Sequence, residues 1–67
     1  MVRIDARGYG CPQPVLMTKK ELANSSEFEV LVDNTTALQN IEKFANNNGA
    51  EFSYTELEGD YLITIKK

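Results

Sequence analysis

The sequence predicts an α+β fold: a two-layer sandwich of order β-α-β-α-β-β, with two helices packed on one face of a mixed four-stranded sheet. Three observations carry this prediction. Apolar residues alternate with polar ones in four short segments, the period of a half-buried strand. Between the first three of these segments lie two stretches with the 3.6-residue period of a helix. Glycine, proline and asparagine punctuate the joins. The whole of residues 1–67 reads as one domain, near the lower size limit for folding without disulfides or metals.

The elements follow in order. Val2, Ile4 and Ala6 alternate with Arg3 and Asp5, giving a first strand. A helix is expected from Pro12, because proline is favoured in a first helical turn where its missing N–H would be unpaired anyway. Val15, Leu16, Leu22 and Ala23 are its expected apolar positions. Phe28, Val30 and Val32 share one face of a second strand. In the second helix Ala37, Leu38, Ile41, Phe44 and Ala45 form an apolar stripe. Thr36 with Gln39 three residues on suggests a capping box at its start, and Gly49 a stop. Phe52 and Tyr54 suit a third strand, Glu58-Gly59-Asp60 a turn, and Tyr61, Ile63 and Ile65 a fourth strand. A right-handed crossover makes the first two strands parallel, and the last two form an antiparallel hairpin with Tyr54 and Tyr61 at the core edge.

Composition narrows the function. The chain is 42% hydrophobic and 25% charged, which suits a globular fold rather than a disordered one. No apolar run approaches the roughly 20 residues of a membrane span, so no membrane partner is expected. The net charge of −3 gives no general attraction to nucleic acid. With one cysteine and no histidine there is neither an internal disulfide nor a zinc-type ligand set, and no metal or cofactor is expected. A free thiol suits a reducing compartment, by default the cytoplasm.

That cysteine, Cys11, stands in Gly8-Tyr9-Gly10-Cys11-Pro12-Gln13-Pro14. A residue preceding proline is pushed out of helical geometry, which puts Cys11 at the cap of the first helix. The helix end favours a thiolate there, although Pro12 and Pro14 remove two of its N–H donors. Gly8 and Gly10 let the loop bend and keep bulk from the sulfur. Isolated cysteines are commonly small buried hydrophobes. Here the helix-start position, the two prolines and the glycines favour an exposed nucleophile instead. A dithiol oxidoreductase needs a second cysteine, and position 14 is proline. A cysteine hydrolase needs a histidine base, and there is none. An unassisted thiolate can still accept sulfur as a persulfide and surrender it.

Around Cys11, the first third of the chain holds Arg3, Arg7, Lys19 and Lys20. Arg7 and Tyr9 in the loop are candidate partner contacts, as are Gln13, Lys19, Lys20 and Asp33. For Lys19 and Lys20 the competing reading is a solvated helix face, and for Asp33 with Asn34 it is turn and capping chemistry. Asp5 suits a structural bond to a loop N–H. Asn40 reads as a surface or packing position.

The stretch from Asp5 to Lys20 resembles the TusA/SirA-like sulfurtransferase family, whose signature is Asp-Ala-x-Gly, two residues, then Cys-Pro-x-Pro. Asp5, Ala6, Gly8, Cys11, Pro12 and Pro14 match it in order and spacing. The resemblance implies the fold derived above, with Cys11 as the persulfide-bearing catalytic residue and Pro12 and Pro14 holding it at the helix start. It also implies two partners, a cysteine desulfurase-like donor and an acceptor protein. The sequence departs from the family at Gly10, where a basic residue is frequent, and at Gln13, where glutamate is frequent. Residues 30–49 look more specifically like the N-terminal domain of YedF-type proteins, associated with selenium metabolism. That likeness adds selenium to the candidate cargo and a DsrE-like domain to the candidate partners. The competing function is a regulatory or interaction module that uses the Cys11 loop as a docking surface.

Overall fold

The computed structural model describes residues 2–10 and 13–67. Its elements are β1 (Val2–Asp5), α1 (Gln13–Leu22), β2 (Glu27–Val32), α2 (Thr35–Asn47), β3 (Glu51–Leu57) and β4 (Asp60–Lys66). The expected order is present, and the sheet runs β1-β2-β4-β3. β1 pairs with β2 in parallel, and β4 is antiparallel to both β2 and β3. Every strand therefore has one end on the side where β1 and β2 finish and β4 begins. The loop carrying Cys11 leaves β1 at that side.

Burial explains why the sheet holds this register. Phe28, Val30 and Val32 of β2 are fully buried. They lie opposite Ile65, Ile63 and Tyr61 of β4. A slip of one residue would turn this entire row to solvent. From α2, Ala37, Leu38, Ile41 and Ala45 complete the core, with Phe44 only half-buried. Phe52 and Tyr61 pack against that core, while Tyr54 is more exposed than expected of a core-edge residue, at 52%. Its ring instead meets those of Phe52 and Tyr61 at 6.0 and 5.9 Å.

Three expectations are corrected. The inward face of α1 matches the expected one only in part: Val15 and Leu22 pack against the core, but Pro14 and Thr18 are the buried residues, Leu16 is 50% exposed and Ala23 lies beyond the helix. Thr18 can be buried because its hydroxyl donates to the Pro14 carbonyl at 2.9 Å, which satisfies the polar atom locally. The N-cap of α2 is Asn34, whose side-chain oxygen accepts from Ala37 N at 2.7 Å: the capping chemistry expected of Asp33 with Asn34 is present, and the capping box expected at Thr36 is not. The hairpin turn is only Glu58-Gly59, since Asp60 already pairs with Leu57. Both turn residues have positive φ, 43° and 92°, the pattern of a type I′ turn that matches strand twist.

Candidate functional site

The candidate site is assembled where β1 gives way to α1. Ala6 is buried, and its N–H donates to the Leu31 carbonyl at 2.8 Å, the last tie of this strand to the sheet. The chain then turns at Arg7 and Gly8. Gly8 has φ of 82°, so its backbone is one that other residues rarely adopt. Gly10 has no such need, and a Cβ there would meet nothing within 4 Å among the described residues. Beyond it, Gln13 N donates to the Gly10 carbonyl at 2.9 Å, closing the turn into α1. Cys11 and Pro12 lie between these two residues in sequence and outside the described residues. So do the cap position, exposure and thiolate expected of Cys11, and the helix start expected at Pro12.

Carboxylates from three elements hold the loop. Asp5 accepts from Arg7 N at 3.1 Å, the loop-shaping role expected of it. It also receives the guanidinium through Nε and Nη2, both at 3.0 Å. The third guanidinium nitrogen used, Nη1, reaches Asp60 at the start of β4 at 3.2 Å. Asp33, just past β2, accepts from Gly8 N at 3.0 Å, while its other oxygen accepts from Asn34 Nδ2 at 3.1 Å. The side-chain and then the backbone hydrogen bonds from Arg7 hold the Asp5 carboxyl below its ordinary 3.8. The same bonds, from Asp5 first and Asp60 second, raise the Arg7 guanidinium further above its already high value.

Beside this loop a cleft of about 140 Å³ separates the heads of the two helices. Tyr9, Gly10, Pro14 and Val15 line it on one side, and Asn34, Thr36, Ala37 and Asn40 on the other. Tyr9 is 50% exposed. Gln13 is exposed and Pro14 buried, both in the first turn of α1. A larger groove, about 530 Å³, runs along Glu51, Phe52, Thr64 and Lys66 at the opposite end of the sheet and contains none of the candidate residues.

The structure therefore brings Arg7, Gly8, Tyr9, Gly10, Gln13, Pro14 and Asp33 to one end of the molecule. It does not gather the four basic residues of the first third into one patch. Arg3 pairs with Glu29 at 3.1 Å on the sheet, Arg7 is engaged by two carboxylates, and Lys19 and Lys20 stand in the last turn of α1. At 1.5 Å per residue, that turn is about 9 Å along the axis from Gln13. Sequence reasoning missed Asp60 as a neighbour of the loop, because its partner Arg7 is 53 positions away.

Comparison with known proteins agrees with this architecture. The family described as sulfurtransferase TusA matches residues 2–67. The chain belongs to the TusA family. A putative sulfur carrier protein of Methanocaldococcus jannaschii is 45% identical over 71 residues, covering 100% of this chain and 95% of its own. The sulfur carrier protein TusA of Pseudomonas putida is 34% identical over 68 residues, covering 96% and 85%. Among solved structures, a SirA-like protein from Desulfitobacterium hafniense superposes with a TM-score of 0.90 at 40% identity, over 97% of this chain and 95% of that one. No described helix is long and apolar enough to cross a membrane.

Proposed function

We propose that this TusA-family sulfur carrier bears its cargo as a persulfide on Cys11 and passes it to an acceptor protein. The observation that supports this reading most strongly is the position of the chain's one cysteine. In sequence it falls between Gly10 and Gln13, whose backbones are bonded to each other at the head of α1. Loading needs no oxidant. The Cys11 thiolate attacks the terminal sulfur of a persulfide on the donor, a new S–S bond forms at Cys11, and the donor's S–S bond breaks. The electron pair leaves on the donor thiolate, and the proton of the terminal sulfur stays with it. Delivery repeats the step with Cys11 as the leaving thiolate.

A cysteine desulfurase-like enzyme suits this chemistry as the donor, since it generates a protein-bound persulfide. Pro12 and Pro14 contribute by withholding two backbone donors and stiffening the chain around the sulfur. Tyr9, Gln13 and the cleft between the helix heads form the surface that a partner meets, with Asp33 behind the loop. Lys19 and Lys20 offer a second, more distant contact for an acidic partner. Exchange of this kind belongs in a reducing compartment, which fits the cytoplasm. The likeness of residues 30–49 to YedF-type domains makes selenium a second cargo and a DsrE-like domain a further partner.

Intact-mass spectrometry after incubation with cysteine and a desulfurase tests the reading. The expected result is a gain of one sulfur on the wild type, removed by reductant and absent from Cys11→Ser. The same assay with selenocysteine separates the two cargoes by mass. A chain that never gains sulfur, yet binds a partner through this loop, is an interaction module.

A further inference from the structure

We infer that Arg7 is a positioning residue for sulfur transfer: with Asp5 and Asp60 it straps the cysteine-bearing loop to the β3–β4 hairpin. This inference rests on the reading of Cys11 as the sulfur-bearing residue.

The need for a strap comes from the topology. β1 is an edge strand of four residues, and its last backbone tie to the sheet is at Ala6. From there to α1 the chain includes Gly8 and Gly10, which add conformational freedom that must be removed if the sulfur is to be presented in one direction. Arg7 removes part of it. Its backbone N–H and two guanidinium nitrogens are fixed by Asp5, while Nη1 reaches across to Asp60. Asp60 is anchored in turn, because it opens β4, an interior strand of the sheet, and pairs with Leu57. The planar guanidinium suits this task, since it meets one carboxylate through two nitrogens and still has a donor for the second.

Charge argues against the alternative role of Arg7 as a docking cation. Two carboxylates already surround its single positive charge, so the group of three is net negative and offers an acidic partner little attraction. The pairs are also substantially exposed, with side-chain exposures of 46% for Arg7, 56% for Asp5 and 29% for Asp60. Exposed pairs contribute little to global stability, so the strap acts on the order of the loop rather than on the fold.

The test uses Arg7→Gln and Asp60→Asn, singly and together, in the full chain. Sulfur loading is followed across desulfurase concentrations with cysteine in excess, and amide hydrogen exchange is read at Gly8 and Tyr9. Each single variant is expected to lower the saturating loading rate by roughly three- to tenfold and leave the half-saturating desulfurase concentration within about twofold. Exchange at Gly8 and Tyr9 should rise, and the double variant should be no slower than the slower single one. Arg7→Lys, which cannot span both carboxylates, should recover only part of the rate. An unchanged saturating rate overturns the strap, and one accompanied by a raised half-saturating concentration makes Arg7 a docking contact. If the wild type takes up no sulfur, the reading of Cys11 fails, and unchanged exchange in Arg7→Gln would then overturn the strap on its own.

Discussion

The two helices begin side by side and in opposite manners. α2 satisfies its own first turn: Asn34 accepts from Ala37 N at 2.7 Å, and the helix behind it buries Ala37, Leu38, Ile41 and Ala45. Among the described residues ahead of α1, the loop is held by carboxylates from other elements, Asp60 on Arg7 and Asp33 on Gly8 N. One helix start spends its donors on stability. The loop before the other draws its order from neighbouring elements.

Substitutions can break or sharpen this contrast. The largest effect on the fold should come from the core on which both helix starts rest. Phe28→Ala removes a fully buried ring from β2, an interior strand of the sheet, and should cost about 3–5 kcal/mol in denaturant unfolding. Next, Asn34→Ala removes the cap of α2 and should cost about 1 kcal/mol by the same measurement. At the other helix, alanine is well tolerated in a first turn, but Pro14 is buried, so Pro14→Ala should cost about as much as Asn34→Ala, about 1 kcal/mol. It should nevertheless slow sulfur loading severalfold, which a timed mass assay would read. A loss of stability from Pro14→Ala large enough by itself to account for the slower loading would erase the contrast.

The smallest effect concerns pH. The Asp5 carboxyl is held below its ordinary 3.8 by Arg7, so the charged form is favoured in the folded chain. Its contribution is therefore fully present above the ordinary value and disappears as the pH falls through the lowered one. The melting temperatures of wild type and Arg7→Gln should converge as the pH is taken below about 4. A gap that widens in acid would contradict the assignment of this pair.

What was legible in the sequence and what was not divides along the same physical line. Strands and the α2 stripe were readable because each is a local periodicity: Phe28, Val30, Val32, Ile63 and Ile65 are all fully buried as their alternation implies. The inward face of α1 was legible only in part, through Val15 and Leu22, which pack against the core. Thr18 counts as polar until its hydroxyl is seen bonded to the Pro14 carbonyl, and Leu16 counts as core until the helix is seen to turn it outward. The cap of α2 is ambiguous in sequence, because Asn34 and Thr36 are both good capping residues and only the backbone chooses between them. In the candidate site, the loop residues from Arg7 to Gly10 could be named because they adjoin the cysteine. Asp60 could not, since pairing over 53 positions leaves no mark on either local segment.

The central claim, that Cys11 holds a transferable sulfur, is tested most directly by following the atom. The wild type and Cys11→Ser are loaded from radiolabelled cysteine by a desulfurase, freed of the donor, and treated with cyanide, which takes a persulfide's outer sulfur as thiocyanate. The account predicts up to one labelled sulfur per wild-type chain, released as thiocyanate with the thiol regenerated, and none from the serine variant. No label on the wild type, or equal release from both proteins, would contradict it.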